Sequence, residues 1–139
     1  MLRNLFKLTV LFCFLSSGAH AYMTDPAGHN VLPLSEVLTN NPDGRDYYSI
    51  VRKIIKNKVF QLYAKADEGE VVIVFKLNNK GIMSQLSIVE ERTNATPYLR
   101  NLVLTAAKNI RRYPKFPKAL SDYNELDFNI VVSFKIKEE

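Results

Sequence analysis

Hydrophobic and polar positions along the chain fall into periodic blocks separated by polar or proline-rich breaks. Tyr47, Ile50, Val51, Ile54, Ile55, Val59 and Leu62 recur at the three- and four-residue spacing of one helix face. Asp46 stands before them as an N-cap, and Arg52, Lys53, Lys56 and Lys58 take the opposite face, so the spacing predicts an amphipathic helix over about Asp46 to Tyr63. After a polar break at Lys65 to Gly69, Glu70 to Leu77 is rich in β-branched residues, with Val71, Ile73, Phe75 and Leu77 on one face. Asn78-Asn79-Lys80-Gly81 supplies residues able to take positive φ and predicts a hairpin into a second strand, Ile82 to Glu90. That strand alternates less cleanly: Met83, Gln85, Ser87 and Val89 share one parity, Leu86 and Ile88 the other.

Thr96-Pro97 opens a second helix, with threonine as N-cap and proline at the first helical position, where its missing N–H costs nothing. Its apolar stripe is Leu99, Leu102, Val103, Ala106 and Ile110, while Arg100, Lys108, Arg111 and Arg112 face out. Pro114 and Pro117 cannot continue the helix. The last strand runs from Leu126 to Ile136 and has the cleanest alternation in the chain: Leu126, Phe128, Ile130, Val132, Phe134 and Ile136 on one face, Asn129, Val131, Ser133 and Lys135 on the other. The order α-β-β-α-β over residues 46–139 predicts an α+β fold, a two-layer sandwich whose three-stranded sheet carries both helices on one face.

The N-terminus has a different pattern. Arg3 and Lys7 supply a positive region ahead of a short apolar run, Leu8 to Leu15 broken by Thr9, followed by Ser16-Ser17-Gly18 and the small-x-small triplet Ala19-His20-Ala21. This order predicts a secretory signal peptide over residues 1–21, cleaved before Tyr22, and hence a periplasmic location. The run is shorter than the roughly 20 residues that span a bilayer. Residues 22–45 hold Pro26, Gly28, Pro33, Pro42 and Gly44 without a clear period and read as a linker-like segment, in which Ser35 is placed to cap a short turn through Leu38. Cys13 is the only cysteine and lies in the apolar run behind Phe12, which is not the small residue a lipidation signal requires, so the mature domain rests on its hydrophobic core without disulfides.

Composition narrows the chemistry. The chain carries a net charge of +5, and about +3 without Arg3 and Lys7, a mild excess that suits an acidic partner or surface and gives no ground for nucleic acid as the ligand of an exported protein. His29 is the single histidine after the leader; with Asp25 it is too thin a set for a metal site, and nothing beside it resembles a nucleophile turn. The acidic pairs Glu90-Glu91 and Asp67-Glu68 fall at strand ends and turns, where carboxylates are solvated. No phosphate-binding glycine loop is present. These features predict no enzyme activity, no cofactor and no small-molecule substrate.

Residues in sequence order resemble the C-terminal domain shared by the TonB and TolA energy transducers. Tyr48 to Ile55, with the Val51-Arg52 pair, is similar to that family's opening helix, and Gly69-Glu70-Val71-Val72-Ile73-Val74-Phe75 to its G-x-V-x-V-x-F strand. Asn79-Lys80-Gly81-Ile82 resembles its glycine turn, Leu102 to Ile110 its second helix, and Phe116-Pro117 with Phe128 to Phe134 its aromatic-proline exit and final strand. The family's small residues before the second helix are replaced here by Glu91-Arg92-Thr93-Asn94. The long proline-rich spacer of a transducer is replaced by residues 22–45, which reach about 80 Å when fully extended.

The resemblance implies a module that binds an envelope or outer-membrane protein, by strand addition in the TonB type, in import or envelope integrity. Strand addition needs a sheet edge with unpaired backbone groups. The last strand is the candidate edge, through Asn129, Val131, Ser133 and Lys135. A second candidate surface is Arg111, Arg112, Lys115 and Lys118, interleaved with Tyr113 and Phe116. An exposed edge also suits a strand-paired homodimer. Two other readings stay open: a short membrane-anchored transducer that keeps residues 5–19 as its anchor, and a small secreted enzyme or inhibitor on a similar sandwich.

Overall fold

A computed structural model describes residues 6–12 and 137–138 through their backbone and residues 33–136 in full. The expected cleavage site, Cys13 and His29 lie outside the described residues. In chain order the elements are β1 (Phe6–Phe12), α1 (Val37–Asn40), α2 (Pro42–Leu62), β2 (Gly69–Asn78), β3 (Met83–Ile88), α3 (Pro97–Lys108) and β4 (Glu125–Glu138), with single 3₁₀ turns at Glu90–Arg92 and Lys118–Leu120. The α-β-β-α-β order expected for the domain is the order from α2 to β4, an α+β sandwich. Its antiparallel strands β4, β2 and β3 form the expected sheet, and β1 is laid against the free side of β4, giving the order β1-β4-β2-β3.

The first long helix starts at Pro42, four residues earlier than its periodicity suggested. Asn41 is the N-cap: its side-chain oxygen accepts from Asp43 N at 2.8 Å and Gly44 N at 3.2 Å, and Pro42 fills the first helical position. Asn-Pro-Asp-Gly has the composition of a turn, and a turn and a capped helix start share their residue types. Asp46 is therefore an exposed residue inside the helix, not its cap. Within the linker-like segment, residues 34–45 pack on the domain: Leu34 and Leu38 belong to the buried core, and α1 crosses α2 so closely that a Cβ on Gly44 would lie 1.8 Å from Val37 O. Ser35 does not cap α1; its hydroxyl accepts from Asp127 N at 2.8 Å.

The hairpin explains the broken alternation of its second strand. The register runs Ile73↔Ile88 and Val74↔Ser87, then shifts to Lys76↔Ser84 and Leu77↔Met83. Gln85 takes a left-handed φ of +56° at the shift, so Gln85 and Leu86 together oppose Phe75. This bulge changes the phase of the strand. Met83 before it and Leu86 and Ile88 after it pack against the same core, so of the face expected for Met83, Gln85, Ser87 and Val89 only Met83 and Val89 reach the core.

The second helix keeps its cap, with Leu99 N donating to Thr96 Oγ1 at 3.4 Å, but it ends at Lys108. Arg111 and Arg112 thus lie beyond the helix in the following loop. The residue before a proline disfavours helical backbone, and Tyr113 N donates to Gly81 O rather than back along a helix. Gly81 has φ +83°, and a Cβ there would meet Tyr113 O at 1.9 Å, so the loop is seated on the hairpin turn by direct backbone contact.

The core sits between the sheet and the two long helices. Val71, Ile73, Phe75 and Leu77 from β2 and Leu126, Phe128, Ile130, Val132 and Phe134 from β4 face Val51, Ile55, Val59, Leu99, Val103 and Ala106. Ala106 and Ala107 are fully buried, which lets α3 lie close to the strands.

Helix propensity alone says that Gly44→Ala should stabilise α2 by about 1 kcal/mol. The approach of Val37 O predicts the reverse: a loss of about 1–3 kcal/mol by overpacking, read as a lower urea midpoint. A stabilised variant would show that α1 does not hold its position against α2.

Candidate protein-docking edge

β4 is the longest strand, and its two sides are used differently. Residues Glu125 to Phe134 pair with β2, from Asn78↔Glu125 to Gly69↔Phe134. The N–H and C=O of one strand residue point to the same side, and the side alternates along an antiparallel strand. Asp127 N and O both bond Ser35, at 2.8 and 3.0 Å, and Asn129 O accepts from Tyr48 Oη at 2.7 Å, all away from β2. Ile136 N instead donates to Glu68 Oε2 at 3.0 Å, on the β2 side just past the start of that strand. Odd-numbered residues of β4 therefore address the outer edge, and even-numbered ones the β2 ladder. Asn129, Val131, Ser133 and Lys135 are of the outer-edge parity.

The side chains of these four are placed unevenly. Lys135 is exposed, but Asn129 is fully buried and Val131 and Ser133 are nearly so. Asn129 Nδ2 donates to Pro33 O at 2.7 Å, while its Oδ1 is buried without a hydrogen-bond partner. Ser133 Oγ donates to Glu70 Oε2 at 3.0 Å. The sheet face opposite the helices, which alternation alone would expose, is thus covered at its centre, where Val72 is also buried. What this row offers a partner is chiefly its backbone. Along the edge, residues 33–35 and Tyr48 satisfy the first half, and β1 pairs with the second, from Phe12↔Val132 to Phe6↔Glu138.

The other side of the sheet is β3. It is short and bulged at Gln85, a device that turns an edge away from pairing. Beside it an open groove of about 490 Å³ lies between the strand and the end of α3, lined in part by Ile82, Met83, Leu86, Ala107, Ile110 and Arg111.

The basic loop separates into anchors and free cations. Tyr113 and Phe116 are buried, whereas Arg111, Arg112, Lys115 and Lys118 are all exposed. Tyr47 Oη donates to Pro114 O at 2.6 Å and its ring meets Phe116 edge-on at 5.3 Å; Phe116 N donates to Asn79 O. These contacts hold the loop backbone while the four cations project outward. The structure does not bring them to the β4 edge residues as one constellation. Burial pushes the phenol of Tyr47 up to about 12, and burial, then the neighbouring Tyr47, pushes that of Tyr113 higher still.

Three of the four carboxylates in the acidic pairs, Asp67, Glu68 and Glu90, have structural partners. Asp67 Oδ2 accepts from Thr96 Oγ1 at 2.6 Å, and Glu90 pairs with Arg100. Lys76 Nζ lies 2.7 Å from Asp127 Oδ1 across the β2–β4 pair, and this hydrogen bond raises the lysine's pKa. Among the described residues no group of three or more His, Cys, Asp or Glu side chains could hold a metal ion, and no helix is long and apolar enough to cross a membrane. Sequence reasoning missed Pro33, Ser35 and Tyr48 as edge residues. Ser35 carries a polar hydroxyl in an apolar stretch, but nothing local says that its partner lies on β4.

The chain is similar in fold to the NMR solution structure of the TonB C-terminal domain of Helicobacter pylori, with 23% sequence identity and a TM-score of 0.55, over 76% of this chain and 96% of that one. No family model matches the chain, and no curated protein matches it.

The raised phenols predict an alkaline weakness. The folded state of Tyr47 holds its proton up to about pH 12 and the unfolded state only to its ordinary value of 10, so this contribution is complete below pH 10 and is lost as pH rises through 12. Tyr47→Phe should cost about 1 kcal/mol at neutral pH through the lost bond to Pro114 O. It should also flatten the fall in urea midpoint between pH 10 and 12. An unchanged slope would mean that the phenol is not buried as described.

Proposed function

We propose that this chain is a protein-docking module that receives an extended segment of another envelope protein along the outer edge of β4. The observation that carries the proposal is the asymmetry of the two sheet edges. β3 is short and broken by the Gln85 bulge, while β4 continues through 14 residues and holds a seven-residue strand, β1, in unbroken antiparallel register. A regular edge that accepts one strand has the spacing and direction of backbone groups to accept another. The similarity in fold to a TonB C-terminal domain supports this reading, as does the leader-like pattern of residues 1–21, which favours a periplasmic site of action. The exposed cations Arg111, Arg112, Lys115 and Lys118 form a second surface in this proposal, steering acidic partners toward the domain.

Proline at an outer-edge position tests the reading. The parity of β4 puts Val131 N–H on the outer side, so Val131→Pro removes an edge donor and leaves the β2 ladder its own donors. The described core runs from Leu34 to Phe134, so a fragment of residues 22–139 retains it. With that fragment as bait in an envelope extract, a photo-crosslinker placed at Lys135 should capture one predominant partner. Val131→Pro should reduce that capture about tenfold or more, the loss of roughly 1.4 kcal/mol, with an unchanged circular dichroism spectrum. Equal capture by a folded Val131→Pro fragment would remove strand addition at this edge. Retained capture that is lost on reversing the charges of Arg111 and Arg112 would move the site to the basic loop.

A further inference from the structure

The strand against the docking edge is the chain's own. Phe6–Phe12 pairs with Val132 to Glu138, and Thr9↔Lys135 and Leu11↔Ser133 are the pairs at outer-edge positions. β4 overhangs β2 here: the β2 register ends at Gly69↔Phe134, so Lys135 to Glu138 have β1 as their only ladder partner among the described strands. In sequence the segment reads FKLTVLF, in which Phe6, Thr9, Val10 and Phe12 are strong strand formers, and the register sets Leu8, Val10 and Phe12 opposite Ile136, Phe134 and Val132 of β4. The same run is the apolar core of the leader-like N-terminus.

We infer that residues 6–12 are an intramolecular cap of the docking edge. A chain that carries them has Val132 to Glu138 already paired and takes no partner strand there; a chain that has lost them, as by cleavage before Tyr22, is open. This rests on the docking reading above and adds its regulation. Removal of the leader then does two things, releasing the domain and uncovering its edge, and an unprocessed chain is kept from pairing with partners or with other copies of itself. Competition is direct, because the cap and an incoming strand need the same backbone donors and acceptors of Ser133 and Lys135.

Amide hydrogen exchange on the full chain reads the cap residue by residue. Ser133 and Lys135 N–H face β1, and Val132 and Phe134 N–H face β2, so neighbouring amides serve as each other's control. In the full chain all four should be protected. In the full-length Thr9→Pro/Leu11→Pro variant, protection at Ser133 and Lys135 should fall by roughly 100-fold while Val132 and Phe134 keep theirs. Fast exchange at Ser133 and Lys135 in the unmodified chain would overturn the cap, and so would retained protection in the variant. The probe for gating is a synthetic peptide of residues 6–12 with a solubilising lysine tail, titrated into both full-length chains. It should bind the variant about tenfold or more tightly than the unmodified chain. Equal binding to both would overturn the gate alone. Binding to neither, with the edge open in the variant, would overturn the docking reading and the gate with it.

Discussion

Phe128 is the contact on which the two layers depend. It is fully buried on β4, stacked on Phe75 of β2 at 5.2 Å with the rings parallel, stacked on Tyr48 of α2 at 6.0 Å, and met edge-on by Tyr47 at 6.1 Å. Aromatic pairs of this kind add about 0.5–1.5 kcal/mol each to the area they bury. One ring therefore ties the central strand pair to the long helix and fixes how α2 lies over the sheet. That placement then decides the polar contacts. Tyr47 and Tyr48 are adjacent on α2, and their hydroxyls leave the core in two directions, to Pro114 O in the basic loop and to Asn129 O at the β4 edge. The aromatic core and both candidate surfaces are parts of one packing arrangement.

The basic loop needs a second constraint. A segment with two prolines and four projecting cations is anchored by the buried rings of Tyr113 and Phe116, which help offset the entropy of ordering it. Its backbone is also held by contact with the hairpin: Tyr113 N to Gly81 O, Phe116 N to Asn79 O, and the absence of a Cβ at Gly81 where Tyr113 O approaches. The hairpin glycine thus does more than permit a turn. The same hairpin carries the bulge at Gln85, which spoils one sheet edge for pairing, so the sheet is left with one regular edge. In the proposed reading, that inequality is what makes the β4 side the docking side.

Covering the remaining edge follows from the same physics. An unpaired row of backbone groups on a strand as long as β4 invites pairing with any extended chain. Residues 33–35 and Tyr48 close its first half permanently, since they belong to the packed domain. The second half is closed by β1, which also approaches α2, and in the reading proposed above it is this cover that gives way to a partner strand. The fixed and the replaceable covers meet near Val131, where the hydrogen bonds to Ser35 and Tyr48 give way to the β1 ladder.

Much of the architecture was legible in the chain itself, because burial imposes its period locally. The alternation of Leu126 to Phe134 and of Val71 to Leu77, the stripe from Tyr47 to Leu62 and the Thr96-Pro97 cap each follow from a handful of neighbouring residues, and together they specify an α+β sandwich. The tertiary structure decided what depends on residues distant in sequence. Asn41 caps α2 and Gly44 lacks a side chain because α1 crosses there, although both look like turn residues when read alone. Gln85 resets the phase of β3, and no local pattern separates a bulge from an irregular strand. Above all, the exposure of an edge is a property of the assembled sheet. Sequence parity marks Asn129, Val131, Ser133 and Lys135 as one row. It cannot say that Asn129 is buried beneath Pro33, or that the apolar run at Phe6 to Phe12 pairs with the far end of the chain, since backbone hydrogen bonding between strands is indifferent to how far apart they lie in sequence.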